Sequence, residues 1–168
     1  VATNALLERK GAKVALLTTE GHRDVIEMRE GLKPDRYDLR SPPPEPLVPR
    51  ERRFGVRERL KANGEVLIPL DATSLDDAIA AIKQSGATSV AVCFLHSYLN
   101  PVHELAAVER LTQALPGVSI SRSGDVLPQI KEYERVSTTI VNAYVEPIVR
   151  RYLTNLEARL AEAGFKGS

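Results

Sequence analysis

The run Ser89-Val-Ala-Val-Cys-Phe-Leu95 is the most apolar stretch of the chain, and it does most to restrict the fold. It does not alternate apolar with polar residues, as a strand with one wet face would. It therefore reads as a central strand covered on both faces. A sheet covered on both faces needs helices on each side, and helical patterns flank this run. Upstream, Ser74 followed by Asp77 resembles a capping box with a shortened acid. Ala78, Ile79 and Ile82 then turn inward, and Gly86 ends that helix. Downstream, Asn100 and Pro101 supply an N-cap and a first-turn proline. Leu105, Val108, Leu111 and Leu115 are expected to face inward before Pro116-Gly117 closes the helix, and Val118 and Ile120 form a further short strand.

The amino-terminal half repeats the alternation. A helix over residues 2–10 stops at Gly11, with Arg9 and Lys10 at the negative end of its dipole. Residues 13–18 have strand length and apolar character. They end in the turn Thr18-Thr19-Glu20-Gly21, followed by the helical pattern Val25, Ile26, Met28 closing at Gly31. Residues 33–50 are rich in proline and read as a stiff, extended connection. Phe54, Val56 and Leu60 fall on one face of a single strand, with Arg53, Arg57 and Arg59 on a solvated opposite face. Asn63-Gly64 signals a two-residue hairpin turn, and Val66 and Ile68 begin the return strand. Residues 128–163 are helical. Ile130, Tyr133, Ser137, Ile140, Tyr144, Ile148, Tyr152, Leu156 and Leu160 form the apolar stripe. Pro147 is expected to split this segment into two helices. The class is α/β, a layered mixed sheet with flanking helices and a β-hairpin.

Composition removes several functions. The 168 residues carry a net charge of +1, so no global field favours nucleic acid or an anionic membrane. Tryptophan is absent, which weakens base stacking. No apolar stretch is long enough for a membrane span. Cys93 is the only cysteine, so no internal disulfide forms, and it reads as a buried, reduced thiol in a cytoplasmic protein. Phosphate-loop, dinucleotide, nucleophile-elbow and zinc-helix signatures are all missing. His22, His96 and His103 lack the spacing of paired metal ligands, and no metal residue is assigned.

Three polar segments interrupt the apolar pattern where strands end or a helix begins. The turn at Thr18 and Thr19 joins a strand to a helix and can expose backbone N–H groups to an anion. The segment around His96 leaves the central strand at its carboxyl end, where open α/β sheets bind ligands. His96 is an acid/base candidate because its ordinary pKa lies near neutrality. The segment Lys131-Glu-Tyr-Glu-Arg-Val-Ser-Thr-Thr-Ile-Val-Asn-Ala-Tyr144 is unusually polar for a core helix. Glu134 is a catalytic candidate, and Arg135, Thr138 and Asn142 are expected to line a cleft, with Thr18 and Thr19 contacting substrate or nucleotide. The bland alternatives are an ordinary strand–helix turn, a structural histidine and a polar interdomain contact.

Several motifs in order resemble the N-terminal region of the hydantoinase/oxoprolinase A family. They are Val1-Ala-Thr-Asn-Ala-Leu-Leu-Glu-Arg-Lys-Gly11, the Leu-Leu-Thr-Thr-x-Gly-x-Arg-Asp pattern ending at Asp24, and Lys33-Pro-Asp-Arg-Tyr-Asp-Leu39 with the prolines that follow. Val92-Cys-Phe-Leu-His-Ser-Tyr-Leu-Asn-Pro101, Val126-Leu-Pro-x-Ile-x-Glu-Tyr-Glu-Arg135 and Ser137-Thr-Thr-x-Val-Asn-Ala-Tyr144 complete the set. The resemblance spans essentially the whole chain, residues 1–168. It departs from the family at His22, where an aromatic residue such as Phe is usual. The family's Asp- and Gly-rich phosphate loop is expected upstream of Val1, so the segment by itself is expected not to hydrolyse ATP.

The resemblance implies part of an actin-like, ribonuclease H-like ATPase architecture. It implies ATP and Mg²⁺ as cofactors of the full-length protein and a hydantoinase B-type subunit as partner. The implied reaction opens cyclic amides such as hydantoins or 5-oxoproline. Two alternatives are a subunit of an ATP-dependent acetone- or acetophenone-type carboxylase, and a non-catalytic module that docks a partner subunit. The candidate residues rest on polarity and placement, and no catalytic motif of the family is carried onto them.

Overall fold

The computed structural model describes residues 1–31, 37, 38, 40, 44–165 and 167. Part of the proline-rich connection over 33–50 lies outside the described residues. The chain runs through α1 (Ala2–Leu7), β1 (Val14–Thr19), α2 (Val25–Met28), β2 (Arg53–Val56), β3 (Arg59–Leu60) and β4 (Val66–Ile68). It continues through α3 (Ala72–Ser85), β5 (Ser89–Cys93), α4 (Val102–Ala114), β6 (Ser119–Arg122), α5 (Ser123–Val126) and α6 (Glu132–Glu162). Among the described residues no helix is long and apolar enough to cross a membrane.

β2, β1, β5 and β6 form a sheet in that order, and every pairing within it is parallel. The antiparallel pairing lies in the separate β3–β4 hairpin. Because successive side chains point to opposite faces, β1 and β5 supply two cores. Ala15, Leu17, Val90 and Val92 pack with Ile79, Ile82 and Leu111 of α3 and α4. Val14, Leu16, Ala91 and Cys93 pack with Val136, Ile140 and Tyr144 of α6. β5 is buried along its whole length, as its apolar run requires.

Strand order carries a functional consequence. From β1 the chain moves to β2 on one side, then returns past β1 to β5 and β6 on the other. The direction of winding therefore reverses between β1 and β5. The carboxyl ends of the strands flanking such a reversal leave a crevice that no crossover covers.

Several expectations change. The single strand expected from Phe54 to Leu60 is two strands, because the chain leaves the sheet after Val56 and re-pairs only at Arg59. Arg53 does not lie on a solvated face. It is 2% exposed and donates to Val48 O at 2.9 Å and to Glu27 at 2.9 Å. The cap of α3 is Asp71, which accepts the Ser74 N–H at 2.7 Å, while Ser74 Oγ accepts the Arg57 N–H. In α4, Leu105 is exposed, and His103 and Glu104 are buried instead.

α6 does not break at Pro147; it is one helix of 31 residues. Proline deprives the carbonyl four residues back of its donor. The next carbonyl, of Tyr144, is turned to the Ala12 N–H at 2.9 Å, so the helix is anchored to the loop after α1 just where its own ladder is interrupted. The buried stripe of α6 is Val136, Thr139, Ile140, Ala143 and Tyr144 with Arg135; of the expected stripe, Ile130 precedes the helix and is exposed, and Tyr152, Leu156 and Leu160 are exposed in its carboxyl-terminal half.

Candidate functional site

A cleft of about 540 Å³ opens at the crevice between the carboxyl ends of β1 and β5. His22, Val25, Met28, Arg29 and Glu30 form one wall, Lys131, Glu132, Tyr133 and Glu134 the other, and Leu95 lies between them. The first wall is α2 and its flanks. A helix of four residues has no stability of its own, so tertiary contacts must hold it. Arg53 of β2 reaches Glu27 at 2.9 Å and Asp24 at 3.6 Å, and Arg50 donates to Asp24 at 3.0 Å. The hydrogen bond from Arg50 holds the Asp24 carboxyl below its ordinary pKa. The second wall is the first turn of α6.

Backbone strain gathers here. Four non-glycine residues among those described have positive φ: Arg9, Arg29, His96 and Lys131. Arg29 and Lys131 line the cleft, and His96 follows its floor residue Leu95. Each such conformation costs about 1–3 kcal/mol and persists only where the surroundings enforce it, a pattern typical of ligand sites.

Beneath the cleft lies a buried polar network. Glu104 is fully buried and accepts from Phe94 N at 3.0 Å, Ser97 Oγ at 2.8 Å, Ser123 Oγ at 2.6 Å and Gly124 N at 3.2 Å. Arg135 lies 4.0 Å from Glu104 and donates to both serine hydroxyls and to Phe94 O at 2.8 Å. Its guanidinium also stands 5.6 Å from the Tyr98 ring centre. A second carboxylate, Glu58, accepts from the Thr19 hydroxyl and pairs with His103 Nδ1 at 2.7 Å. Thr19 Oγ1 in turn accepts the Leu95 N–H at 2.9 Å. The cleft floor is thus tied to both carboxylates.

The residues singled out from sequence separate into groups. Glu134 lines the cleft and accepts from Lys131 Nζ at 3.0 Å, which holds its carboxyl below the ordinary range. His96 is half-buried, packs edge-on against Tyr98 at 6.2 Å, and its buried Nδ1 has no partner. Arg135 belongs to the network beneath. Thr18 donates to Cys93 O at 2.8 Å, and with Thr19 bound to Glu58 neither hydroxyl is free in this conformation. In the turn after β1, Glu20 N and His22 N are engaged by Val56 O and Thr19 O. Thr138 is exposed, and Asn142 donates to Ser121 Oγ at 3.0 Å, so these two lie along α6 away from the cleft.

Sequence reading missed Glu58, His103 and Glu104, which meet only through the fold and share no local spacing. It also missed His22 as a cleft residue. The position of His22 directly after the strand–helix turn was the available signal. Cys93 is buried, as its apolar run predicts, and burial pushes its thiol up to about 12.

Comparison with known proteins places this arrangement. A family model described as the hydantoinase/oxoprolinase N-terminal region matches residues 1–115. Caprolactamase subunit alpha of Pseudomonas jessenii is 42% identical over 98% of this chain and 24% of its own length. The crystal structure of that ATP-dependent caprolactamase superposes with a TM-score of 0.92 at 41% identity, covering 99% of this chain and 24% of that one. The acetophenone carboxylase gamma subunit of Aromatoleum aromaticum is 31% identical over 100% of this chain and 25% of its own. Nucleotide-free acetone carboxylase, from work on ATP-dependent acetone carboxylation, superposes with a TM-score of 0.85 at 29% identity, covering 98% and 25%. The chain spans about a quarter of the length of these relatives.

Proposed function

The chain belongs to the hydantoinase/oxoprolinase family, and from that premise we propose that the protein containing it opens a cyclic amide in an ATP-dependent reaction. In this reading the switch-point cleft receives the ring. The observation that carries it is the composition of the cleft. Two cationic side chains, Arg29 and Lys131, line it with the imidazole of His22 and three carboxylates, Glu30, Glu132 and Glu134. With no excess of positive charge, the set does not select a polyanion. It suits a neutral ligand that presents one carbonyl acceptor and one N–H donor. Val25, Met28, Leu95 and Tyr133 supply apolar surface for ring methylenes.

The same composition argues against placing the triphosphate here. Lys131 is held by Glu134, and the turn at Thr18 and Thr19 has its hydroxyls and two of its amides engaged. Among the described residues no group of three or more His, Cys, Asp or Glu side chains could hold a metal ion. Among the described residues, neither the cleft nor the turn at Thr18 and Thr19 therefore fits ATP or Mg²⁺, and no step is assigned to them through either. Their part is to bind and orient the ring and keep water from it. Glu134 and His96 remain the candidates for proton handling, and Arg135 holds the floor beneath them.

Relatives named as alpha and gamma subunits support a partner, and we assign a hydantoinase B-type subunit to that role. The preference for a cyclic amide over a ketone rests on identity, 42% to the caprolactamase subunit against 31% to the acetophenone carboxylase subunit.

The test uses the full-length protein with its partner subunit, ATP, and in turn caprolactam, 5-oxoproline, hydantoin and acetophenone, each with and without bicarbonate. Ring-opened product and ADP in step, without bicarbonate, is the expected result. ADP formed only with ketone and bicarbonate together would establish the carboxylase instead. Unchanged turnover after substitutions throughout the cleft would leave this segment as a docking module.

A further inference from the structure

His22 stands where the two walls of the cleft meet. Its ring lines the 540 Å³ cleft and also the narrow space beneath it that Thr18, Glu132 and Arg135 border. Its Nε2 lies 2.7 Å from Arg59 Nη1, a residue of the hairpin strand β3. A guanidinium has donors only and stays charged at every relevant pH. The contact is therefore a hydrogen bond only if Nε2 offers a lone pair. That requirement fixes a neutral imidazole with its proton on Nδ1 and leaves Nδ1–H as the ring's single donor.

We propose that His22 is a specificity-determining residue of the cleft: a neutral imidazole, locked by Arg59 as the Nδ1–H tautomer, that donates to the carbonyl oxygen of the ring amide. This rests on the reading of the cleft as the amide site. A protonated His22 would turn an N–H against the guanidinium, lose that bond and set two cations side by side. The charged and titratable groups facing it are Arg59 and Glu58 at the hairpin, Glu132 at the start of α6, and His96 beyond β5. Burial and the Arg59 charge oppose its protonation and outweigh Glu132 and Glu58, so its pKa falls below the ordinary 6.5. Burial first and Arg59 second thus hold the histidine neutral, and the hairpin contributes through Arg59.

The test measures KM and kcat against pH in the full-length holoenzyme, with caprolactam as the probe amide. His22→Gln keeps an acceptor for Arg59 and a neutral N–H donor, and should hold KM near the parent value while removing its rise at acid pH. His22→Phe fills the same space without a donor and should raise KM about tenfold with kcat largely kept, the loss expected for one neutral hydrogen bond. Arg59→Met should move the acid rise in KM to higher pH, because the nearby cation is gone. Nitrogen NMR of histidine-labelled protein, read without substrate, should show His22 protonated at Nδ1 and titrating higher in the Arg59→Met variant. An Nε2–H tautomer, or a titration indifferent to Arg59, would overturn the lock. Equal KM for the Phe and Gln variants would overturn the specificity role. A parent enzyme that opens no cyclic amide would remove the reading of the cleft, while the NMR result would still decide the lock.

Discussion

Arg135 is a charge buried at 2% exposure, and the structure answers it with a second buried charge on Glu104 and two serines bridging them. Removing one partner of such a pair strands the other in a low dielectric, at a cost of about 3–5 kcal/mol. Arg135→Met should therefore lower the unfolding free energy by that amount in urea titration, and a loss under about 1 kcal/mol would contradict the network. Cys93 makes the opposite prediction. With its thiol pushed up to about 12, it should resist iodoacetamide at pH 8 in the folded protein and react once unfolded. The burial of Cys93 was legible because the apolar run that contains it is itself a buried strand. The burial of Arg135 was not, because Ser97, Glu104 and Ser123 come from three other segments and only the fold assembles them. His22 was hidden for the same reason, its partner Arg59 lying across the hairpin.

Elements with their own periodicity were legible, and those stabilised from elsewhere were not. β5 follows directly from its apolar run, and α3 from its inward-facing Ala78, Ile79 and Ile82. The cap of α3 was misplaced because Asp71 and Ser74 are both good capping residues, and only the backbone geometry decides between them. Asp71→Ala should cost about 0.5–2 kcal/mol in thermal or urea unfolding. No effect from Asp71→Ala would return the cap to Ser74. α2 is too short to announce itself and exists because Arg50 and Arg53 reach it from a distant segment. α6 shows the converse case, in which a local rule about Pro147 yields to tertiary contact. Its packing on α1 leaves no room at Gly11, where an added Cβ would lie 2.0 Å from the buried Tyr144 ring. Gly11→Ala should displace that ring and destabilise by about 1–3 kcal/mol, and an unchanged melting temperature would show that the contact yields freely.

For the whole molecule, strand types and an α/β layering could be read from sequence, but strand order could not. The order places β1 beside β5 and so creates the crevice, and nothing local encodes it. Of the site candidates, Glu134 lines the cleft, and His96 and Arg135 lie at its floor. The central claim is the proposal that this cleft binds the neutral ring and not ATP. Met28 lines the cleft from an exposed position, so a larger side chain there can fill it without disturbing either core. The decisive measurement is steady-state kinetics of Met28→Trp in the full-length enzyme, varying cyclic amide and ATP separately. A KM for the amide raised by about tenfold or more, with the KM for ATP unchanged, is the predicted result. An unchanged amide KM, or a rise in the ATP KM instead, would contradict it.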